Sequence, residues 1–248
     1  MGILGAAKQL TISVGLYKPA RALRRAFNPS ERRHFRDHRL LLSQFVKAGD
    51  LTFDVGANVG ERTEILQSLG ASVVAFEPQP ICAREVAARG NERVTVIQKA
   101  VGETEGTAQL HLKADNVLAS LIPDWQGRED IGVLTVSVIT LDKAIDRFGL
   151  PAFCKIDVEG FEVQVLRGLS HPIPAVSLEY HCDARGIERV KECLDLLSKL
   201  GTYRVNLIGY ESAVLLSSNW LPVPEFIKSF PDSAKGNFWG DLFAKIAD

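Results

Sequence analysis

The sequence lacks several features that would mark a specialised class of protein. No apolar run approaches the ~20 residues that a membrane-spanning helix requires, and no secretory signal is convincing. The four cysteines include no C-x-x-C pair. Cys154 lies in a buried-strand pattern and Cys193 in a helical pattern, so we expect reduced, packed thiols and neither a disulfide framework nor a zinc site. These features favour a cytoplasmic protein.

The chain also has little net charge, −1 over 248 residues, but that charge is unevenly distributed. Ten basic and two acidic residues precede Asp50, so residues 1–49 carry +8 and the remainder carries −9. An acidic body argues against nucleic acid as a partner, because neutralised phosphates supply most non-specific affinity. We expect residues 1–49 to form a basic, amphipathic, helical segment. It either contacts an anionic membrane peripherally or, as we favour, caps the domain formed by residues 50–248.

From Leu51 onward the sequence alternates between strand and helix patterns. This alternation predicts an α/β fold with a Rossmann-like, doubly wound parallel sheet. Ala108 to Leu112 and Leu134 to Val138 alternate in polarity and predict an antiparallel excursion. The segment between them is a candidate lid, in which Trp125 either stacks on a substrate or anchors its own loop. Residues 219–240 contain three prolines and are predicted to be an ordered loop.

The first strand leads into a turn with two glycines. Gly56, Asn58 and Gly60 follow the strand Leu51 to Val55, and Asn tolerates the positive φ that such turns need. Glu77 ends the second strand, where a carboxylate can accept hydrogen bonds from ribose hydroxyls. Glu61 at the helix start argues against the pyrophosphate of NAD or FAD. A phosphate-free nucleoside, S-adenosylmethionine, fits better, although a turn with no ligand remains the alternative.

Further acidic groups follow two later strands. Asp157 and Glu159 come after the strand at Phe153, and Glu179 and His181 end the next one. The carboxyl ends of parallel strands meet at one edge of a sheet, so we expect these groups near the first turn. The alternative for Glu159 is that it complements a helix dipole. His34 and His38 are spaced to share a metal, but without a third candidate ligand we interpret them as surface histidines.

These motifs together resemble the FkbM-type methyltransferases. The resemblance rests on four stretches and covers roughly residues 51–168. They are Asp54-Val-Gly-Ala-Asn-Val-Gly60, Phe76-Glu77-Pro78, Val136 to Asp142, and Lys155-Ile-Asp-Val-Glu-Gly-Phe-Glu162. The resemblance implies a class I fold, with a seven-stranded, mostly parallel sheet containing one antiparallel strand. It also implies transfer of a methyl group from S-adenosylmethionine to a hydroxyl of a sugar, glycan or other natural product.

The resemblance assigns cofactor contacts residue by residue. Gly56, Asn58 and Gly60 would hold the methionine part, and Asp54 would steady the turn and the cofactor amine. Glu77, followed by Pro78, would take the ribose. Ala100, at the end of the third strand, would lie against adenine.

The hydroxyl acceptor would need a general base, because an aliphatic hydroxyl is a weak nucleophile. The candidates are Asp157, Glu159, Glu179 and His181, and the sequence does not rank them. A variant hypothesis, which we do not favour, is that the three carboxylates bind a divalent metal that orients the hydroxyl. Two further alternatives are a catalytically silent module that scaffolds a glycan-assembly complex, and a nucleotide-dependent oxidoreductase.

Overall fold

The computed structural model describes residues 27–113, 119–123, 125–127, 129–209, 212–233 and 239–247. The interpretation of residues 1–26 as an amphipathic segment, with its peripheral membrane contact, lies outside those ranges. Within them, no helix combines the length and the apolar character needed to cross a bilayer.

Helices and strands alternate over most of the described chain. The helices are α1 (Pro29–Leu42), α2 (Glu61–Ser68), α3 (Pro80–Arg89), α4 (Leu141–Phe148), α5 (Glu162–Arg167), α6 (Ala184–Leu200) and α7 (Val223–Ser233), with a 3₁₀ turn at Trp125–Gly127. The strands are β1 (Leu51–Val55), β2 (Ser72–Phe76), β3 (Val94–Ile97), β4 (Ala100–Val101), β5 (Gly106–Lys113), β6 (Ala119–Ser120), β7 (Asp130–Ile139), β8 (Phe153–Ile156), β9 (Ala175–His181), β10 (Tyr203–Leu207), β11 (Leu221–Pro222) and β12 (Trp239–Ile246).

The main sheet has the order β11-β10-β12-β9-β8-β1-β2-β3. Strands β9, β8, β1, β2 and β3 pair in parallel, whereas β12 runs antiparallel to both β9 and β10. Apart from the two-residue strand β11, this is the predicted seven-stranded sheet with one antiparallel strand. The chain leaves β1 toward β2 and β3 and later returns on the other side through β8. The crevice between β1 and β8 is therefore the topological switch point where ligands of such sheets bind.

The core lies on both faces of this sheet. Phe53, Phe76 and Ile156 are fully buried on or beside the central strands, because helices cover both faces and the strands can be almost entirely apolar. Helix α1 packs Leu41 and Leu42 into a second apolar cluster. All four cysteines are free thiols, as predicted.

A second, smaller sheet, which we call the roof sheet, has the order β4-β7-β5-β6. Its strands β5 and β7 pair antiparallel over most of their length, which confirms the predicted excursion. Ala100 begins β4 of this sheet and pairs with Val138. Its predicted position at the end of the third strand is therefore wrong, because β3 stops at Ile97.

Two local predictions are wrong. The described residues of the range 219–240 are mostly not a loop, because they contain β11, α7 and the start of β12. The rings of Phe226 and Phe230 stack 5.2 Å apart on α7, and Pro224 is tolerated because the first helical turn needs no N–H partner. His38 is not a surface residue: it is 3% exposed, and burial lowers its pKa to about 3.

Candidate active site

A cavity of about 280 Å³ lies at the carboxyl ends of β1, β2 and β8. Its lining comes from the main sheet and its loops, from the roof sheet, and from His34 and Phe35 of α1. The lining residues include Gly56, Ala57, Asn58, Val59, Glu61, Arg62, Glu77, Pro78, Gln79, Lys99, Ala100, Leu110, Ala119, Leu121, Lys155, Asp157, Val158, Glu159 and Phe161. The roof sheet thus contributes residues to the lining of the switch-point crevice.

The turn formed by residues 56–60, which we call the donor turn, is held by close backbone packing. Gly56 has φ +75°, and a Cβ there would lie 1.9 Å from the carbonyl oxygen of Asp157. Its amide and that of Ala57 donate to the carbonyl oxygen of Phe76. Asn58 has φ 50°, which agrees with the positive φ expected from the sequence. Gly60 is the N-cap of α2 with φ 80° and is not among the residues that line the cavity.

Glu77 directly follows β2 and lines the cavity. The residue is 4% exposed, and its two carboxylate oxygens accept from the amides of Asn58 at 2.7 Å and Gln79 at 2.8 Å. Burial raises the pKa of Glu77 to about 7, although both amide hydrogen bonds act in the opposite direction. Each carboxylate oxygen has a second lone pair that can accept from a ligand hydroxyl.

Asp54 lies beneath the donor turn and does not line the cavity. It is fully buried, one oxygen accepts from the Thr63 hydroxyl at 2.5 Å, and the other lies 3.5 Å from Lys155 Nζ. Lys155 Nζ donates to the carbonyl oxygen of Gly56 at 2.7 Å and lies 3.3 Å from Asp157 Oδ2. Burial alone would lower the pKa of Lys155, but Asp157 and Asp54 raise it above its usual value.

Lys155 therefore ties the donor turn to the end of β8, a role that our sequence analysis did not assign. The signal was present, because a lysine within a buried-strand pattern must be paired to offset the cost of burying its charge.

Three carboxylates, which we call the acidic cluster, converge beside this lysine. Oxygens of Asp157, Glu159 and Glu179 all lie within 4.8 Å of one another. Asp157 and Glu159 line the cavity, whereas Glu179 and His181 line a smaller neighbouring cleft. Burial, followed by the charges of Asp157 and Glu159, raises the pKa of Glu179 well above its usual value. His181 Nε2 lies 3.3 Å from Glu179 Oε2, so it reaches the cluster through that carboxylate.

The segment between β5 and β7 is fastened to Glu159. Trp125 Nε1 donates to Glu159 Oε2 at 3.0 Å, and Ser120 Oγ donates to the Glu159 carbonyl oxygen at 2.8 Å. The indole covers Gly160, where a Cβ would come within 2.3 Å of the ring. The Arg189 guanidinium lies over the indole, 4.5 Å from its centroid. Of the two roles considered for Trp125, the contacts show that it anchors its own loop.

The predicted site residues therefore fall into two groups. Gly56, Asn58, Glu77, Pro78, Ala100, Asp157 and Glu159 line one cavity, whereas Asp54, Gly60, Glu179 and His181 surround it without lining it. Lys99 and Arg62, to which the sequence assigned no role, also line the cavity.

Comparison with known proteins identifies the domain type. The methyltransferase FkbM domain matches residues 54–204. Hexuronic acid methyltransferase AglP of Haloferax volcanii is 28% identical over 145 residues, which are 56% of this chain and 57% of that protein. The chain thus spans just over half the length of this curated relative.

Two solved structures show distant similarity in fold. Precorrin-6y C5,15-methyltransferase from Geobacter metallireducens has a TM-score of 0.43 at 11% identity, covering 84% of this chain and 87% of that one. A TehB-like SAM-dependent methyltransferase from Corynebacterium glutamicum has a TM-score of 0.43 at 12% identity, again covering 84% and 87%.

Proposed function

Because the chain belongs to the FkbM methyltransferase family, and is thus an S-adenosylmethionine-dependent methyltransferase, we propose that it methylates a hydroxyl of a sugar, glycan or related natural product. The observation that carries this proposal is the position of Asp157 and Glu159. Both carboxylates line the cavity that also contains the donor turn and Glu77. One cavity thus combines groups suited to a nucleoside with groups suited to accepting a hydroxyl proton. The similarity to a hexuronic acid methyltransferase supports a sugar acceptor.

The residues of the cavity fit the proposed cofactor. Glu77 would accept from the ribose hydroxyls, Pro78 and Ala100 would contact adenine, and the donor turn would hold the methionine part. Asp54 would act through the turn, because its carboxylate lies beneath it and is bonded to Thr63. S-adenosylmethionine supplies a methyl group on an activated sulfonium leaving group. The protein then needs mainly to align the acceptor, which can contribute as much as ~7–11 kcal/mol.

We propose that Asp157 or Glu159 accepts the proton of the acceptor hydroxyl as the new carbon–oxygen bond forms. Glu159 is oriented by Trp125 and Asp157 by Lys155, so both have fixed positions. Glu179 and His181 would act on the reaction indirectly, because the charge of this pair changes the net charge of the acidic cluster. Asp157→Asn and Glu159→Gln should each lower kcat at least about 100-fold if that group is the base, with unchanged affinity for S-adenosylhomocysteine.

The acidic cluster also has the ligand set for the alternative in which a divalent cation orients the acceptor hydroxyl. Such clusters are also common on proteins that bind no metal. We expect activity to survive dialysis against EDTA. Loss of activity that added Mg²⁺ or Mn²⁺ restores would support the metal-dependent mechanism instead.

The function is tested by incubation with S-adenosylmethionine carrying a labelled methyl group. The acceptor panel should pair hexuronic acids with their neutral hexoses, both free and within glycans. We expect label in an alkali-stable methyl ether on oxygen. Label on nitrogen or carbon, or none with any hydroxyl compound while S-adenosylhomocysteine still binds, would contradict the proposed acceptor class. The catalytically silent alternative predicts that Asp157→Ala leaves the protein's biological activity intact, whereas deletion of residues 1–40 abolishes it.

A further inference from the structure

Arg62 stands out among the charged residues of the cavity. Four carboxylates and three strong cations line the cavity within the described part of the chain: Glu61, Glu77, Asp157 and Glu159, against Arg62, Lys99 and Lys155. Lys155 is already committed to the Gly56 carbonyl oxygen and to Asp157. The side chain of Arg62 is 22% exposed, and within the described ranges it makes one ion pair, in which Nη2 lies 3.1 Å from Asp241 Oδ2.

The other terminal nitrogen of Arg62 has no hydrogen-bond acceptor among the described residues. Nη1 is buried, and no described residue accepts a hydrogen bond from it. A buried guanidinium nitrogen without an acceptor is costly, because it has lost water and gained nothing in return. A ligand that supplies an anionic oxygen would remove that cost and would gain a charge-assisted hydrogen bond.

The place of Arg62 in the fold indicates which end of the cavity such a ligand would occupy. Arg62 belongs to the first turn of α2, immediately after the donor turn, and it reaches toward β12 through Asp241. Lys99 lies between β3 and β4, at the opposite edge of the switch-point crevice. Arg62 is therefore the cation on the side of the donor turn and the acidic cluster, away from Ala100.

We propose that Arg62 binds a carboxylate in this cavity by a rotation of its guanidinium that brings the buried Nη1 to the ligand, while Nη2 stays on Asp241. A guanidinium is suited to this task, since it stays charged and its planar fork matches a carboxylate. This inference builds on the proposed function, which offers two sources of that chemistry. One is the carboxylate of the amino-acid part of the methyl donor, and the other is the carboxylate of a hexuronic acid acceptor.

The experiment compares ligands that differ only in the carboxylate. Binding of S-adenosylhomocysteine and of its decarboxylated analogue is measured by calorimetry on the full chain, with wild type, Arg62→Gln and Arg62→Lys. If the donor supplies the carboxylate, Arg62→Gln weakens S-adenosylhomocysteine binding roughly 10- to 100-fold and changes the analogue less than about twofold. Arg62→Lys restores part of the loss, because it keeps the charge without the fork.

The second part of the experiment measures the steady-state kinetics of methylation with two acceptors. If the acceptor supplies the carboxylate, Arg62→Gln leaves binding of S-adenosylhomocysteine unchanged and raises KM for a hexuronic acid but not for the matching hexose. Lys99→Gln is the matched control, since it removes a cavity cation at the other end. It should affect S-adenosylhomocysteine and its decarboxylated analogue equally.

A purely structural role for Arg62 gives a different result. The double variant Arg62→Gln/Asp241→Asn removes both charges of the pair, so it avoids leaving a buried Asp241 charge without a partner. If this variant and Arg62→Gln weaken both ligands equally and do not discriminate between acceptors, the proposal is overturned. Failure of the wild type to bind S-adenosylhomocysteine would overturn the cofactor assignment as well. S-adenosylhomocysteine binding could depend on its carboxylate even if no hydroxyl compound is methylated. That result would support the role of Arg62 and reject only the proposed acceptor class.

Discussion

At the scale of the residue, Glu77 combines nearly complete burial with two backbone hydrogen bonds at the edge of the cavity. Its remaining lone pairs are those that we expect to accept from ribose. Glu77→Ala should therefore weaken binding of S-adenosylhomocysteine roughly 10- to 100-fold, as measured by calorimetry. Glu188→Gln, an exposed change on α6, serves as the control and should have no effect. Unchanged affinity in Glu77→Ala would remove this residue from the cofactor site.

The same carboxyl makes stability depend on pH. Its pKa is about 7 in the folded protein against 4.5 for an unperturbed glutamate, so between these values the folded state binds more protons than the unfolded state. The contribution of protonated Glu77 is therefore complete below about pH 4.5 and is lost as pH rises to about 7, amounting to about 3 kcal/mol. We expect the urea midpoint of the unligated protein to fall over this range, and to fall less in Glu77→Gln.

Burial also raises the pKa values of Glu162 and Asp241 in the folded state. Like Glu77, both carboxyls stabilise the folded state less as the pH rises. Part of the decline in the urea midpoint should therefore persist in Glu77→Gln. A wild-type midpoint that rises with pH relative to that variant would contradict the assignment.

At the scale of the element, the segment between β5 and β7 depends on Trp125 and Gly160. Trp125→Phe keeps an aromatic ring but removes the hydrogen bond to Glu159, so we expect kcat/KM to fall about 3- to 10-fold through a loss of roughly 1 kcal/mol. Gly160→Ala should cost more, because its Cβ would overlap the indole and its φ is +95°. Tryptophan emission should shift to longer wavelength as the ring becomes exposed.

Gly132→Ala is the control for that substitution. It places a methyl group on β7 with its nearest neighbour at 3.8 Å, so it should leave both activity and emission unchanged. If Gly160→Ala behaves like Gly132→Ala, then the indole does not fasten this segment.

Some elements of the fold could be predicted from their local sequence and others could not. The donor turn could be predicted because Gly56 and Asn58 are residue types that accept positive φ, and both values were found. Helix α7 was missed because its prolines suggested a loop, although Phe226 and Phe230 have helical spacing and are both buried. That Glu179 faces a separate cleft could not be predicted, since it depends on how β9 and α6 pack. The bond between Trp125 and Glu159 joins segments far apart in sequence and has no local signal.

At the scale of the whole molecule, a ligand that binds only the folded state raises its melting temperature. At a concentration about 100 times its Kd, a ligand stabilises by about 2.7 kcal/mol, which corresponds to a rise of roughly 5–10 °C for a domain of this size. We expect such a rise with S-adenosylhomocysteine and none with NAD. The opposite result would favour the oxidoreductase hypothesis, which the Glu61 side chain on the cavity wall argues against.

The contact between Gly56 and the backbone of Asp157 has a consequence for how this enzyme can diversify. A Cβ at Gly56 would lie 1.9 Å from the Asp157 carbonyl oxygen, so any larger residue there must push the donor turn away from the end of β8 and change the distance between the proposed donor site and the proposed base. Leu110, Ala119 and Leu121 line the same cavity, and we expect substitutions there to change its volume without displacing the donor turn. Variants designed for a different acceptor should therefore change these side chains and keep Gly56 and the end of β8 unchanged.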